Sequence, residues 1–226
     1  MKSKILVVAA HPDDEILGCG GTMARLVKEG SEVYTLILGT GITSRYENNE
    51  EVEIKDKLKL LKCHAHEANK LIGVNEVITD DFPDNAFDTV ALLDIVKSVE
   101  KVKDKIKPGL IFTHYEKDLN IDHKITYEAV ITAARPMPGE TVRQIYSFEV
   151  PSSTEWRYPL SFTPDTFYDV GNTIEIKLKA LEHYKTEMRK PPHPRSLEWI
   201  RLRAKTWGMS VGIEYAEAFK CVRRVQ

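Results

Sequence analysis

Ile5-Leu6-Val7-Val8-Ala9-Ala10-His11-Pro12-Asp13-Asp14-Glu15 is the stretch on which the fold turns. Its apolar part, rich in β-branched residues, has no polar interruption, as a strand buried on both faces of a parallel sheet requires. A proline and three acids then end the run abruptly. Lys2 and Lys4 give a superficial likeness to a secretion signal, but the apolar run from Ile5 to Ala10 is too short and stops in charge. The segment reads as a first strand delivering a polar cluster at its carboxyl end.

Working outward, strands and helices alternate. Met23 to Glu29 reads as a helix stopped by Gly30, and Glu32 to Leu38 as a second strand. Glu51 to Ile72 carries an apolar stripe at spacings of three and four, through Ile54, Leu58, Leu61, Ala65, Ala68 and Leu71, and Gly73 caps it. Val77-Ile78-Thr79, Leu110 to His114 and Gln144 to Val150 read as further strands. Thr89 to Val102 and Ile125 to Ala134 read as helices. Pro151 to Pro164 reads as a long ordered loop, Asn172 to Arg189 as a helix, and the run after Pro194 as another, to about Thr206. Ala216 to Val222 suits a final strand. The pattern predicts an α/β protein: a Rossmann-like, mostly parallel sheet with helices on both faces and a C-terminal extension that helps build the site. Neither a repeat nor a linker divides residues 1–226, so a single domain is expected.

Composition removes several function classes. The chain has 226 residues, enough to bury a core without a staple. Its formal charge is 32 − 34 = −2, which argues against a nucleic-acid or membrane-surface binder. No apolar run approaches the roughly 20 residues of a membrane span. Cys19, Cys63 and Cys221 are odd in number and form no CxxC pair, so a reducing, cytoplasmic setting is expected.

Ligands of open parallel sheets bind beyond the carboxyl ends of the strands. Two such ends carry unusual residues: His11 to Glu15, and Asp118-Leu119-Asn120-Ile121-Asp122-His123. His11, Asp14 and His123 form a nitrogen–oxygen set suited to zinc, which in catalytic sites keeps one position open for water. Other divalent metals tolerate the same ligand types. Asp13, beside a ligand but aimed elsewhere, is placed to accept a proton from that water.

Here the sequence resembles a family. His11-Pro12-Asp13-Asp14-Glu15 with Gly20-Gly21-Thr22 resembles the first motif of the PIG-L/LmbE-like zinc-dependent N-deacetylases. Asn120-Ile121-Asp122-His123 is similar to their second motif, usually His-x-Asp-His. Glu67 to Gly73 looks like an imperfect version of their helix end, and Ala216 to Phe219 is similar to their terminal segment. The resemblance implies zinc on His11, Asp14 and His123, Asp13 as general base, and removal of acetyl from an N-acetylglucosamine-type amino sugar or conjugate. Asp122 would orient a neighbouring side chain, or else cap a helix. Asn120 stands where the family often has a histidine, and Asn cannot transfer a proton. The acid is therefore either Asp13, returning its proton, or His193, and Asp13 is preferred. Arg45, in the loop after the second strand, and Arg195 with His193, in the Pro-rich segment, are candidate substrate contacts. The resemblance also makes room for a homo-oligomer.

Blander readings stand beside these. Two competing functions share the fold: a non-catalytic sugar- or nucleotide-binding module, and a metal amidohydrolase for another acyl group. His64 and His66 point about 200° apart on a helix and cannot easily chelate together. His114 and Cys19 read as packed residues. Trp156, Tyr158, Phe162, Phe167 and Tyr168 suit a sugar-stacking wall, or core, or a subunit interface.

Overall fold

The computed structural model describes residues 3–42 and 51–226, without the side chains of 51–54. Strand β1 (Lys4–Ala9) is buried after its first residue. It lies between β2 (Glu32–Gly39) and β4 (Leu110–His114), parallel to both, with Leu6 opposite Tyr34 on one side and Ile111 on the other. With β3 (Glu76–Phe82), β5 (Gln144–Phe148), β6 (Thr166–Asp169) and β7 (Ala216–Arg224), the sheet runs β3-β2-β1-β4-β5-β7-β6. The first five strands in that order are parallel, while β7 pairs antiparallel with β5 and β6.

The two-residue alternation of strands splits the core. Ile5 and Val7 face one layer with Val33, Ile37, Phe112 and Phe148. That layer is covered by α1 (Asp14–Lys28), α2 (Glu51–Ile72), α5 (Ile174–Leu181) and α6 (Leu197–Ser210). Leu6, Val8 and Ala10 face the other layer with Leu36, Leu38 and Ile111, under α3 (Leu92–Ile106) and α4 (Ile121–Ala133). Among the described residues, no helix is long and apolar enough to cross a membrane.

Several boundaries depart from the sequence reading. Helix α1 starts at Asp14, well before Met23, and is kinked at Cys19, whose φ of −146° and ψ of 20° are not helical. Its glycines look like a loop in sequence, but close approach explains them. A Cβ on Gly18 would overlap the Phe148 ring, and one on Gly21 would sit 3.0 Å from Val170. The kink frees backbone N–H groups, and the buried Glu217 carboxylate accepts from Gly21 (3.0 Å) and Thr22 (2.6 Å). Lys177 pairs with Glu217 at 2.6 Å and donates to the Leu17 carbonyl at 2.8 Å. Helix α4 begins at Ile121, not Ile125, because Asn120 caps it. The segment expected as one helix from Asn172 to Arg189 ends as α5 at Leu181 and tightens into a single 3₁₀ turn, Glu182–Tyr184. Edge strand β6, which the sequence reading left unassigned, is a four-residue strand held by β7.

Candidate metal and catalytic site

Strand order reverses direction between β1 and β4, and the two polar clusters meet there, beyond the strand ends. His11 follows β1, Asp14 opens α1, and His123 sits in the first turn of α4. One ligand atom from each lies within 4.8 Å of the others, and all three residues are buried. Asp14 Oδ2 lies 3.3 Å from His11 Nδ1 and 3.2 Å from His123 Nε2. The outer ring nitrogens meet carboxylates: His11 Nε2 is 2.9 Å from Asp122 Oδ2, and His123 Nδ1 is 3.1 Å from Asp118 Oδ1. That arrangement turns the remaining nitrogens inward, as carboxylate–histidine–metal sites require. Asp14 Oδ1 is buried and makes no hydrogen bond. A buried carboxylate oxygen without a donor is costly, and a cation would satisfy it. The residues present therefore fit a divalent ion. A second grouping, His11 Nε2 with Asp84 and Asp122, uses the nitrogen that Asp122 already holds.

The electrostatics follow from burial and partners. Burial alone would lower the His11 and His123 pKa values. Asp122 and Asp14 raise His11 to about 10, and Asp14 with Asp118 raises His123 to about 9. Burial would raise Asp14, but the two imidazoles hold it well below the usual carboxylate range. Burial would likewise raise Asp118, yet His123 and the hydroxyls of Ser153 and Thr154 bring it to about 2. His114 is fully buried, accepts from the Ala10 N–H at 2.8 Å, and stacks on His123 with ring centres 4.0 Å apart. Burial and the His123 charge push its pKa well down, so it stays neutral.

Asp13 differs from its neighbours. Its φ of 109° lies in the region that disfavours side chains, and the surroundings hold it there. Its N–H donates to Glu15 Oε2 at 3.1 Å, and its carbonyl accepts from Leu17 at 2.8 Å. Glu15 is itself fixed by Tyr184 Oη (2.6 Å) and Asn69 Nδ2 (2.8 Å), and burial lifts its pKa to about 7. Asp13 Oδ2 accepts from Arg195 at 2.7 Å. Burial raises the Asp13 carboxyl well above the usual range, with Arg195 opposing.

A recess of about 100 Å³ opens over these groups, lined by His11, Asp13, Asp84, Asn85, Asn120, His123, Ser152, Ser153, Glu187 and Arg195. Asn120 borders it, but Oδ1 accepts from the Asp122 N–H at 2.8 Å and Nδ2 donates to Asn85 at 2.8 Å. Arg195 enters the recess, and its Nε also reaches Ser152 Oγ at 2.9 Å. His193 does not line it. Its Nδ1 accepts from the Arg195 N–H, and its ring packs edge-on against Trp156 at 5.5 Å. Arg45 lies outside the described residues. Sequence reasoning gave no role to Asp118, Asp84, Ser153 or Glu187. Asp118 stood inside the second cluster. Asp84 follows the end of β3, where a strand-end acid was the available signal. Ser153 and Glu187 carried no such signal, since a loop and a broken helix bring them in.

Fold and site together define a class: an α/β protein with a buried nitrogen–oxygen ligand set at the switch point of a parallel sheet and a separate carboxylate beside it. Comparison with known proteins gives the family. The model described as PIG-L: GlcNAc-PI de-N-acetylase matches residues 6–134, and the chain belongs to this family. It is 30% identical over 195 residues to the "Uncharacterized deacetylase YaiS" of Escherichia coli, across 80% of this chain and 90% of that protein. It is 25% identical over 215 residues to a probable N-acetyl-alpha-D-glucosaminyl L-malate deacetylase 2 of Bacillus cereus, across 89% of this chain and 96% of that one. The structure of N,N′-diacetylchitobiose deacetylase from Pyrococcus horikoshii superposes with a TM-score of 0.77 at 20% identity, covering 98% of this chain and 84% of that chain.

Proposed function

We propose that the protein is a metal-dependent N-deacetylase. It hydrolyses the N-acetyl amide of an N-acetylglucosamine-type sugar or conjugate and releases acetate and the free amine. Its relatives' names support this chemistry, and one observation in the site carries it: Asp14, whose Oδ2 lies between two imidazoles that carboxylates turn inward while its buried Oδ1 has no donor. His11, Asp14 and His123 would hold the ion, and zinc is the metal proposed. When bound, such an ion makes water a better nucleophile at neutral pH and polarises the amide carbonyl.

The chain's own residues do the rest. Asp13 accepts the proton of the attacking water and returns it to the departing nitrogen, so one carboxylate serves both halves of the reaction. Asn120 and His193 are engaged elsewhere, which supports Asp13 as the acid. Asp122 and Asp118 hold the imidazoles by their outer nitrogens. Arg195 keeps Asp13 in place and neutralises it between turnovers. Asp84 offers an acceptor for a sugar hydroxyl, and Arg45 remains the proposed contact from the loop after β2. The pairing of β7, at the C-terminal end, into the same sheet as β1 supports a single domain over residues 1–226. The free thiols of Cys19, Cys63 and Cys221 support a cytoplasmic setting.

Amine release from N-acetylglucosamine and its conjugates, with zinc supplied and a chelator as control, tests the reading. Chelator-sensitive release is expected. Asp13→Asn should keep the backbone, because Asn tolerates positive φ, and lose about 10²- to 10⁴-fold in kcat. Full turnover in that variant sinks the role of Asp13. No release from any conjugate by the zinc-loaded protein sinks the deacetylase reading.

A further inference from the structure

All three tryptophans of the chain, Trp156, Trp199 and Trp207, line one cavity of about 550 Å³, and none is buried. Trp156 is 44% exposed and Tyr158, on the same wall, 75%. Large aromatic surfaces left open and gathered in a concavity mark a binding site more often than a packing accident.

The cavity borders the catalytic recess: no residue lines both, but two short pieces of chain run from one wall to the other. Ser152 and Ser153 line the recess, whereas Thr154 and Trp156, on the same turn, line the cavity. Arg195 lines the recess and Pro194 the cavity. The Thr154 hydroxyl donates to Asp118 Oδ2 at 2.5 Å, so the dividing wall also supports His123. At about 100 Å³ the recess is much smaller than the aromatic cavity beside it.

Charge narrows the occupant. Glu149 is closed off by Arg203 (2.6 Å) and the Trp207 indole N–H (2.6 Å), and the Arg203 guanidinium stands 4.4 Å over the Trp207 ring. Glu155 accepts from the backbone N–H groups of Ser152 and Ser153. The ionic groups of the wall are thus already partnered, and what the cavity offers is flat aromatic surface.

Resting on the deacetylase reading, we propose that this cavity is the subsite for the group linked to the amino sugar, and that this group is an uncharged ring with an apolar face. A second pyranose and an aryl group share that chemistry.

The test compares kcat/KM for N-acetylglucosamine, N,N′-diacetylchitobiose, phenyl N-acetyl-β-D-glucosaminide and N-acetylglucosaminyl malate. Both neutral-ring substrates, or one of them, should exceed the other two by about tenfold, and Trp156→Ala should erase that ratio. Tyr158→Ala, at a position 75% exposed, repeats the test where little packing is lost. Saturation-transfer NMR with phenyl β-D-glucosaminide, the amine product, reads the cavity without turnover. Saturation of its aryl protons in the wild type and its loss in Trp156→Ala supports the subsite even if no substrate is cleaved, in which case only the deacetylase reading fails. Turnover without ring preference and without aryl saturation overturns the subsite. A preference for the malate conjugate overturns the uncharged ring. A drop in oligomer size in Trp156→Ala, with selectivity unchanged, assigns the face to a second copy of the chain and overturns the proposal.

Discussion

Asp118 and Asp122 each hold one imidazole by its outer nitrogen, and their removal should be felt at the metal before it is felt in the fold. Asp118→Asn or Asp122→Asn is expected to weaken zinc binding about 10- to 100-fold, read by competition with a chromophoric chelator. The raised imidazoles make a second prediction. In the metal-free protein His11 titrates at about 10 and His123 at about 9, both above the ordinary 6.5, so both are protonated at pH 7.5. Metal binding needs them neutral and should release protons, seen as a buffer-dependent heat in calorimetry. The release should fade as pH rises through 9 and 10. At this scale much of the site was legible. His11, Asp14 and His123 stood out because strand ends carrying N/O ligands are unusual. Glu187 was not, because it reaches the recess only after the chain breaks from α5 and turns back.

At the scale of the element, α1 shows what sequence patterning misses. Gly18-Cys19-Gly20-Gly21 has the composition of a loop, yet it forms a kinked helix held against β5 and β7. A local reading sees the glycines' flexibility, whereas tertiary proximity to Phe148 and Val170 decides their use. Gly18→Ala should therefore cost about 1–3 kcal/mol in urea unfolding, from overpacking against Phe148. That ring also lies 4.9 Å from His114, which stacks on His123, so zinc affinity should fall in the same variant. Lys177→Met would leave Glu217 buried with two backbone donors but no cation. A loss of about 3 kcal/mol is expected, the low end for breaking a buried pair. Strands β2 and β4 were readable because apolar runs with β-branched residues mark them. Strand β6 was not, since four residues at an edge, three half-buried and one exposed, carry almost no periodic signal.

For the whole molecule, the family match to residues 6–134 covers every proposed ligand, while the far end of the chain closes the site. Arg195 reaches Asp13, Tyr184 reaches Glu15, and Glu217 caps the second half of α1. A chain cut after Asp169 should expose the α1 face of the first core layer and fail to give a cooperative thermal transition. In the intact protein, zinc at 100 times its dissociation constant should add about 2.7 kcal/mol of stability, and Asp14→Ala should abolish that gain. A scan with and without metal checks both.

The order in which the site is assembled has a consequence during synthesis. The last proposed ligand, His123, leaves the ribosome about 70 residues before Arg195, and at about 5–20 residues per second that interval is on the order of several seconds. For that time the nascent chain carries the ligand set with Asp13 unclamped and Glu15 without its tyrosine. A metal captured then would meet an open site, and only the arrival of Tyr184 and Arg195 would shut it.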